Sequence, residues 1–379
     1  MFIYLDNSAT TRVHENVADK MVNAMTKDFG NPSSLHRLGL NAEKIIKDAR
    51  AEIAKKLNAS PDEIYFTSCG TESNNTVIKG VWESRCKTGR RIITSCVEHS
   101  AVLKPFQWCE DRGADAVYLP VDKNCVVSID DLRAALNEDT ILVSIMYVNN
   151  EVGSIMPIAE IAKEVKKLAP NAVFHTDAVQ AFGKIDCDVK KLGVDALSIS
   201  AHKLHGPKGI GALYLKKGVH IPSFMLGGGQ EQGFRSGTES VPMIAGFGEA
   251  VKEIRPVDPS VRKYMKARLV EYFGDGVKIN SPEDGIDSIL NVSFPGCRAE
   301  VLLHMLEEKE IYVSTGSACS SNSKKKASHV LSAMGLSDGD IEGALRFSFS
   351  DDNTPEEMDR AVAVLEEVVI KHRKLMNRK

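Results

Sequence analysis

From about residue 60 the chain alternates short apolar runs with longer amphipathic ones, and polar or glycine-containing turns mark each change of period. The runs at 64–68 (IYFTS), 91–95 (RIITS), 116–119, 141–146 (ILVSIM), 172–175 (AVFH), 196–200 (ALSIS) and 211–215 (GALYL) are short, rich in β-branched residues and almost free of charge. That pattern predicts strands buried on both faces. Between them the spacing predicts helices from residue 71 (Thr76, Val77, Val81 and Trp82 toward the core), over 101–109, from a capping-box variant at Ser128–Asp131 to residue 136, and over 158–168. Strand and helix in alternation imply an α/β fold with a mostly parallel sheet covered by helices on each side. Ligands of such sheets sit beyond the carboxyl ends of the strands.

After about residue 255 the texture changes to helix 261–273, the NVSFPG segment at 291–296, helix 298–307, strand 311–315 and a short strand at 346–348. A last helix opens at Thr354, with Pro355 at its first position and Glu357 at its third. The expected organisation is a large unit, 15–254, and a smaller α+β unit made of 1–14 and 255–379, joined through the N-terminal strand. No internal repeat or low-complexity linker interrupts it.

A chain of 379 residues has ample core for this plan. A net charge of −3 excludes a basic nucleic-acid footprint. The cations Lys371, Arg373, Lys374, Arg378 and Lys379 read as a solvated helix end that suits the helix dipole. The opening MFIYLDNSATT is too short an apolar run for a signal peptide, and no run approaches the ~20 apolar residues that span a bilayer. The expectation is a cytoplasmic protein with no membrane contact.

The eight cysteines form no C-x-x-C pair and no zinc-ligand spacing, so neither a metal site nor a disulfide framework is expected. Seven read as small buried hydrophobes. Cys319 differs: it lies in STGSACSSNS, with no bulky apolar neighbour to bury it. An incidental loop thiol and a working one are both compatible with that spacing.

The remaining chemistry follows strand ends. In SAHKLHGPKG (200–209), Lys203 directly follows a buried strand, an odd place for a merely solvated cation. The alternative is a Schiff-base lysine carrying a carbonyl cofactor, with Ser200 and His202 donating to a phosphate. In HTDAVQ (175–180), Asp177 ends a buried strand, where an unpaired carboxylate costs several kcal/mol. It is either a helix cap or the partner of a cofactor's protonated ring nitrogen. Gln180 lies one turn on. Gly70 and Thr71 open a helix, a plain N-terminus or an anion site. His99 follows RIITS, in position to stack on a ring or move a proton. Asn150 follows ILVSIM and offers an amide. Arg346 on the strand at 346–348 is a natural carboxylate clamp.

These motifs, in this order, resemble the class V, fold-type I enzymes that depend on pyridoxal 5'-phosphate, specifically the cysteine desulfurases of the NifS/IscS-like group. The resemblance runs nearly end to end, through YLDNSATT (4–11), FGNPSS (29–34), FTSCGTESNN (66–75), VEHSAV (97–102), VNNEVG (148–153), TDAVQAFGK (176–184), SAHKLHGPKGIGALY (200–214), GGGQEQGFRSGTES (227–240), STGSACSS (314–321) and LRFS (345–348). It implies the cofactor on Lys203, Asp177 at its ring nitrogen, His99 over the ring, and Asn150 and Gln180 at its polar edge. It implies phosphate contacts from Gly70, Thr71, Ser200 and His202, with Thr238 supplied across a homodimer. Arg346, Asn31 and Asn150 are implied for the substrate. The resemblance further implies that L-cysteine yields L-alanine and a persulfide on Cys319, in the mobile loop of this group. That sulfur would pass to an acceptor such as an iron–sulfur scaffold or a tRNA thiolation enzyme. A selenocysteine lyase or another fold-type I enzyme is the neighbouring alternative.

The sequence departs from the family pattern in three places. Cys69-Gly70-Thr71 stands where Gly-Ala-Thr is commoner, and Ser323 and Lys324–Lys326 follow the nucleophile. The chain ends at Lys379, without the tail by which housekeeping members dock a scaffold, so the resemblance selects no acceptor. His36, His99 or the lysine run is a candidate to raise the thiolate fraction of Cys319, which is only a few per cent for an ordinary thiol near neutral pH, and the sequence does not select among them.

Overall fold

The computed structural model describes residues 2–315 and 327–376, with side chains to residue 374. Cys319 therefore lies outside the described residues. Twelve strands appear among them. In chain order they are β1 (Ile3–Tyr4), β2 (Ile64–Thr67), β3 (Arg91–Ser95), β4 (Asp115–Leu119), β5 (Thr140–Ser144), β6 (Val173–Asp177), β7 (Ala196–Ser200), β8 (Gly211–Leu215), β9 (Lys278–Ile279), β10 (Ile289–Ser293), β11 (Ile311–Tyr312) and β12 (Ala344–Ser348).

Seven of them form one sheet in the order β2-β8-β7-β6-β5-β3-β4. The run β4-β3-β5-β6-β7 is parallel, and β8 is antiparallel to both of its neighbours. The chain is thus α/β with a mixed, mostly parallel sheet. Strands β5, β6, β7 and β8 are buried along their whole length, as expected for a sheet covered on both faces. The predicted helix over 158–168 is present as Ile158–Leu168, and Ser128 Oγ caps the helix Ile129–Ala135 by accepting from Asp131 N at 3.2 Å.

Three helices without a counterpart in the sequence reading complete one layer. Helix Val241–Lys252 packs against Glu15–Thr26 and Arg37–Leu57. The crossing is close enough that a Cβ on Gly248 would stand 2.6 Å from Ala49 Cβ, so glycine is required there.

A smaller antiparallel sheet, β12-β10-β9, lies beside the parallel pair β1-β11. Single bridges, Asp6 with Ser348 and Ser314 with Arg346, attach that pair to β12. The strand expected over 311–315 is correspondingly short. Ile3, Leu5, Leu290, Phe347, Leu302 and Leu365 belong to one apolar cluster, separate from the clusters on the two faces of the large sheet. The seven cysteines read as buried hydrophobes divide. Cys109, Cys125, Cys187 and Cys297 are buried, but Cys69, Cys86 and Cys96 are only partly so.

One buried ion pair locks the sheet's β2 edge. Arg50 donates from both terminal nitrogens to Glu231 at 2.8 Å each, Phe66 N donates to the same carboxylate at 2.8 Å, and the guanidinium lies 4.7 Å over the Phe66 ring. Both side chains are largely enclosed, so removing one leaves a desolvated charge without its partner. Glu231→Ala should destabilise the protein by roughly 3–5 kcal/mol, read as a fall in the denaturant midpoint.

Candidate active site

The carboxyl ends of β2, β3, β5, β6 and β7 converge on a cavity of about 230 Å³. Gly70, Thr71, His99, Asn150, Asp177, Gln180, Ser200, His202, Lys203 and Arg346 all line it, although they span more than two hundred positions of sequence. Ser8, Ala9, Cys69, Asn74, Met146, Val148 and Val179 line it as well, and sequence reasoning assigned none of these. Asn31 and Thr238 are exposed and do not line the cavity in this chain. Asn31 Oδ1 instead accepts from Ser33 N at 2.9 Å.

Asp177, the last residue of fully buried β6, forms one wall. Its two oxygens accept from neutral donors, Asn74 Nδ2 at 2.6 Å and Val179 N at 3.0 Å. Asn74 is the clearest omission of the sequence reading. It sits on the helix Gly70–Arg85 and is buried, and buried amides are rarely without a partner.

The first turn of that helix faces the cavity. A Cβ on Gly70 would meet Val179 Cγ2 at 2.6 Å, so with Val179 in this position glycine lets the helix start approach the wall. Across from it Ser200 Oγ is buried without a hydrogen-bond partner, an orphaned donor pointing to a missing acceptor. His202 Nδ1 lies 3.3 Å from Thr10 Oγ1. Burial first, and then Lys203, Lys208 and Lys184, push its pKa down to about 4, so its ring is neutral near pH 7.

Lys203 closes a short helical turn, Ala201–Lys203, right after β7. Its Nζ donates to the carbonyls of Ser8 and of Ala9, the latter at 2.8 Å. His99 caps the helix Ser100–Glu110, its Nδ1 accepting from Ala101 N at 3.1 Å. A neutral ring in that role carries its proton on Nε2. Gln180 is held at both ends, Nε2 donating to Ser8 O at 2.9 Å and Oε1 accepting from Lys184 at 3.2 Å. Burial, reinforced by Lys203 and Arg346, lowers the pKa of Lys184 to about 7.

Arg346 extends from β12 toward the same cavity, donating to Asn150 O at 2.9 Å and to Asp6 at 2.7 Å. Elsewhere His14, His205, Asp351 and Asp352 bring ligand-type atoms within 4.8 Å of one another. The two imidazoles stack at 4.0 Å with 15° between their planes, and one ion cannot lie in both of two separated parallel rings. Burial disfavours the charge on His205, yet its contact with Asp351 at 3.2 Å raises its pKa overall, as in an ion pair.

The family model for class-V aminotransferases, a pyridoxal-phosphate-dependent family, matches residues 3–361. The chain is 46% identical to a cysteine desulfurase IscS of Methanosarcina thermophila, over 98% of this chain and 93% of that protein. It is 42% identical to a cysteine desulfurase IscS of Clostridium botulinum, over 98% of this chain and 96% of that one. Among solved structures, a NifS-like protein superposes with a TM-score of 0.90 at 41% identity, covering 98% of this chain and all of that one. The structure described as SspA in complex with cysteine superposes at 0.83 with 34% identity, over 93% of this chain and all of that one.

Glu98, next to His99, is fully buried. Ser95 Oγ donates to it at 2.6 Å and Met146 N at 2.9 and 3.1 Å. Burial raises its pKa from 4.5 to about 8 against those hydrogen bonds, so between these values the folded protein keeps a proton that the unfolded chain has lost. Stability from this group is full below pH 4.5 and falls as pH rises toward 8. Glu98→Gln should flatten the decline of stability across that window, measured by denaturant midpoints at successive pH values.

Proposed function

From the premise that this chain belongs to the class-V aminotransferase family and is a cysteine desulfurase, we propose that it uses pyridoxal 5'-phosphate on Lys203 and a nucleophilic Cys319 to take sulfur from L-cysteine. The observation that carries the reading is one strand-end cavity lined by an amine, a carboxylate, an orphaned hydroxyl, a helix start and a buried guanidinium.

The residues present fit the cofactor. Ser200 Oγ, the start of helix Gly70–Arg85 with Thr71, and the neutral His202 supply donors for a phosphate, with Thr238 of a second copy completing the set. Asp177, held only by neutral donors, suits a protonated ring nitrogen. His99 lies at the carboxyl end of β3 for the ring, and Asn150 and Gln180 lie at its polar edge. When bound, the cofactor supplies an electron sink for the bond broken at the substrate Cα.

The chain's own residues do the rest. Arg346, with Asn150, orients the substrate carboxylate. Lys203, whose amine is directed by the carbonyls of Ser8 and Ala9, takes the Cα proton. Cys319 as thiolate attacks the substrate sulfur: an S–S bond forms as the C–S bond breaks, the electron pair of that bond stays with the carbon skeleton, and protonation of the skeleton gives L-alanine. The persulfide on Cys319 then passes to an acceptor protein, an iron–sulfur scaffold or a tRNA thiolation enzyme.

The enzyme acts as a homodimer in the cytoplasm. Exposed Leu35 (94%), Leu226 (90%) and Phe29 (65%) support a covering second copy. Among the described residues no helix is long and apolar enough to cross a membrane. The large unit would be 15–254 and the small unit 1–14 with 255–379, the latter carrying the cysteine segment. The separate apolar cluster shared by Ile3, Leu5 and residues beyond 260 supports that division.

Two substitutions test the reading. Lys203→Ala should lose both turnover and the borohydride-trappable absorbance near 400 nm. Cys319→Ala should keep that absorbance and still bind cysteine, but produce almost no alanine and no protein-bound persulfide. Near wild-type alanine formation by Cys319→Ala would remove the covalent sulfur intermediate. It would leave a selenocysteine lyase or another fold-type I enzyme, separable by comparing selenide with sulfide release.

A further inference from the structure

We propose that Asp6 is a resident counter-ion for Arg346 that sets how tightly the cavity holds a substrate carboxylate. This rests on the reading of Arg346 as the carboxylate clamp. Arg346 is 3% exposed, and a charge so enclosed needs a partner. Its Nη2 donates to Asp6 Oδ1 at 2.7 Å and its Nη1 to Asn150 O at 2.9 Å, while its buried Nε has no hydrogen-bond partner. The guanidinium is thus oriented from one side by a backbone carbonyl and neutralised from the other by a carboxylate.

Asp6 is itself fixed. Its carbonyl accepts from Ala9 N at 3.0 Å, Thr10 N at 3.4 Å and Tyr4 Oη at 3.2 Å, and its backbone bridges to Ser348 on β12. The carboxylate therefore stays beside the clamp when a ligand arrives. A substrate carboxylate docking on Arg346 meets a cation already balanced, with a like charge 2.7 Å beyond the guanidinium. Two consequences follow. Asp6 aims the guanidinium, and it lowers affinity equally for cysteine and alanine, which carry the same carboxylate. A clamp without it would hold both more strongly and slow the departure of the product. Asp6 is a positioning residue in this scheme, because it acts through Arg346.

The test uses full-length, cofactor-loaded protein titrated with L-alanine, binding being followed by the change in visible absorbance. Asp6→Asn keeps an acceptor for Arg346 but removes the charge. It should bind L-alanine roughly tenfold more tightly, with KM for cysteine and kcat both falling. Asp6→Glu, which keeps the charge, should not tighten binding. Ethylamine, an amine without a carboxylate, should bind wild type and Asp6→Asn alike. Unchanged or weaker alanine binding by Asp6→Asn, or an equal shift for ethylamine, overturns the proposal. Arg346→Ala separates the two layers. If it binds alanine as wild type does, the clamp assignment falls. If it loses alanine while Asp6→Asn gains nothing, the clamp stands and only the role of Asp6 is wrong.

Discussion

The site depends on one short turn, residues 6–11, being pinned between two sheets. On one side Ser8 N donates to Ser348 Oγ at 2.8 Å and Asn7 N to Ser348 O at 3.3 Å, which ties the turn to β12. On the other, Thr11 N and Thr11 Oγ1 donate to His202 O at 2.9 and 3.1 Å, and Lys203 reaches back to the Ser8 and Ala9 carbonyls. This strap ties the arginine of the small sheet to the lysine of the large one, alongside the direct bond from Arg346 to Asn150 O at 2.9 Å. A two-residue strand, β1, secures the turn by pairing with β11 and burying Ile3 and Leu5. The apolar burial of the small cluster thereby determines the position of a polar group in the cavity.

The electrostatics follow from crowding cations into that space. Lys203, Lys184, His202 and Arg346 influence one another, and the fold answers in different ways. His202 is held neutral, Lys184 is brought down to about 7, and Arg346 is paired with Asp6 at 2.7 Å. Asp177 and Glu98 make the same contrast among acids. Burial pushes Glu98 up to about 8, while Asp177 accepts from two neutral donors, Asn74 Nδ2 and Val179 N. Such separated environments for like groups are how one cavity comes to hold acids and bases with different roles.

Most of the parallel sheet was legible in the sequence, because strands buried on both faces are short runs that are largely apolar and bounded by polar turns. The strand-end residues were legible for the same reason: Asp177, Lys203 and His99 are polar groups set directly after such runs. What the sequence left out has a physical cause too. Helices Glu15–Thr26 and Arg37–Leu57 carry ordinary amphipathic stripes broken by lysines and glycines, and only packing against Val241–Lys252 gives those stripes a partner. Asn74 looks like any amide on a helix until Asp177, some hundred residues away, is folded against it. Glu231 sits in a glycine-rich segment that reads as a loop, and its pairing with Arg50 is invisible to any local pattern.

The sequence by itself determined the chemistry available: the residue types, their order, and their placement at element ends, since periodicity and turn residues are local properties of the chain. Only the tertiary structure decided which of those groups share a space. It kept Asn31 out of the cavity of its own chain, added Ser8, Asn74 and Val179, and gave Arg346 a counter-ion from the opposite end of the sequence. Distances and burial, and hence charge states, arise from contacts between distant segments, and these no local pattern encodes.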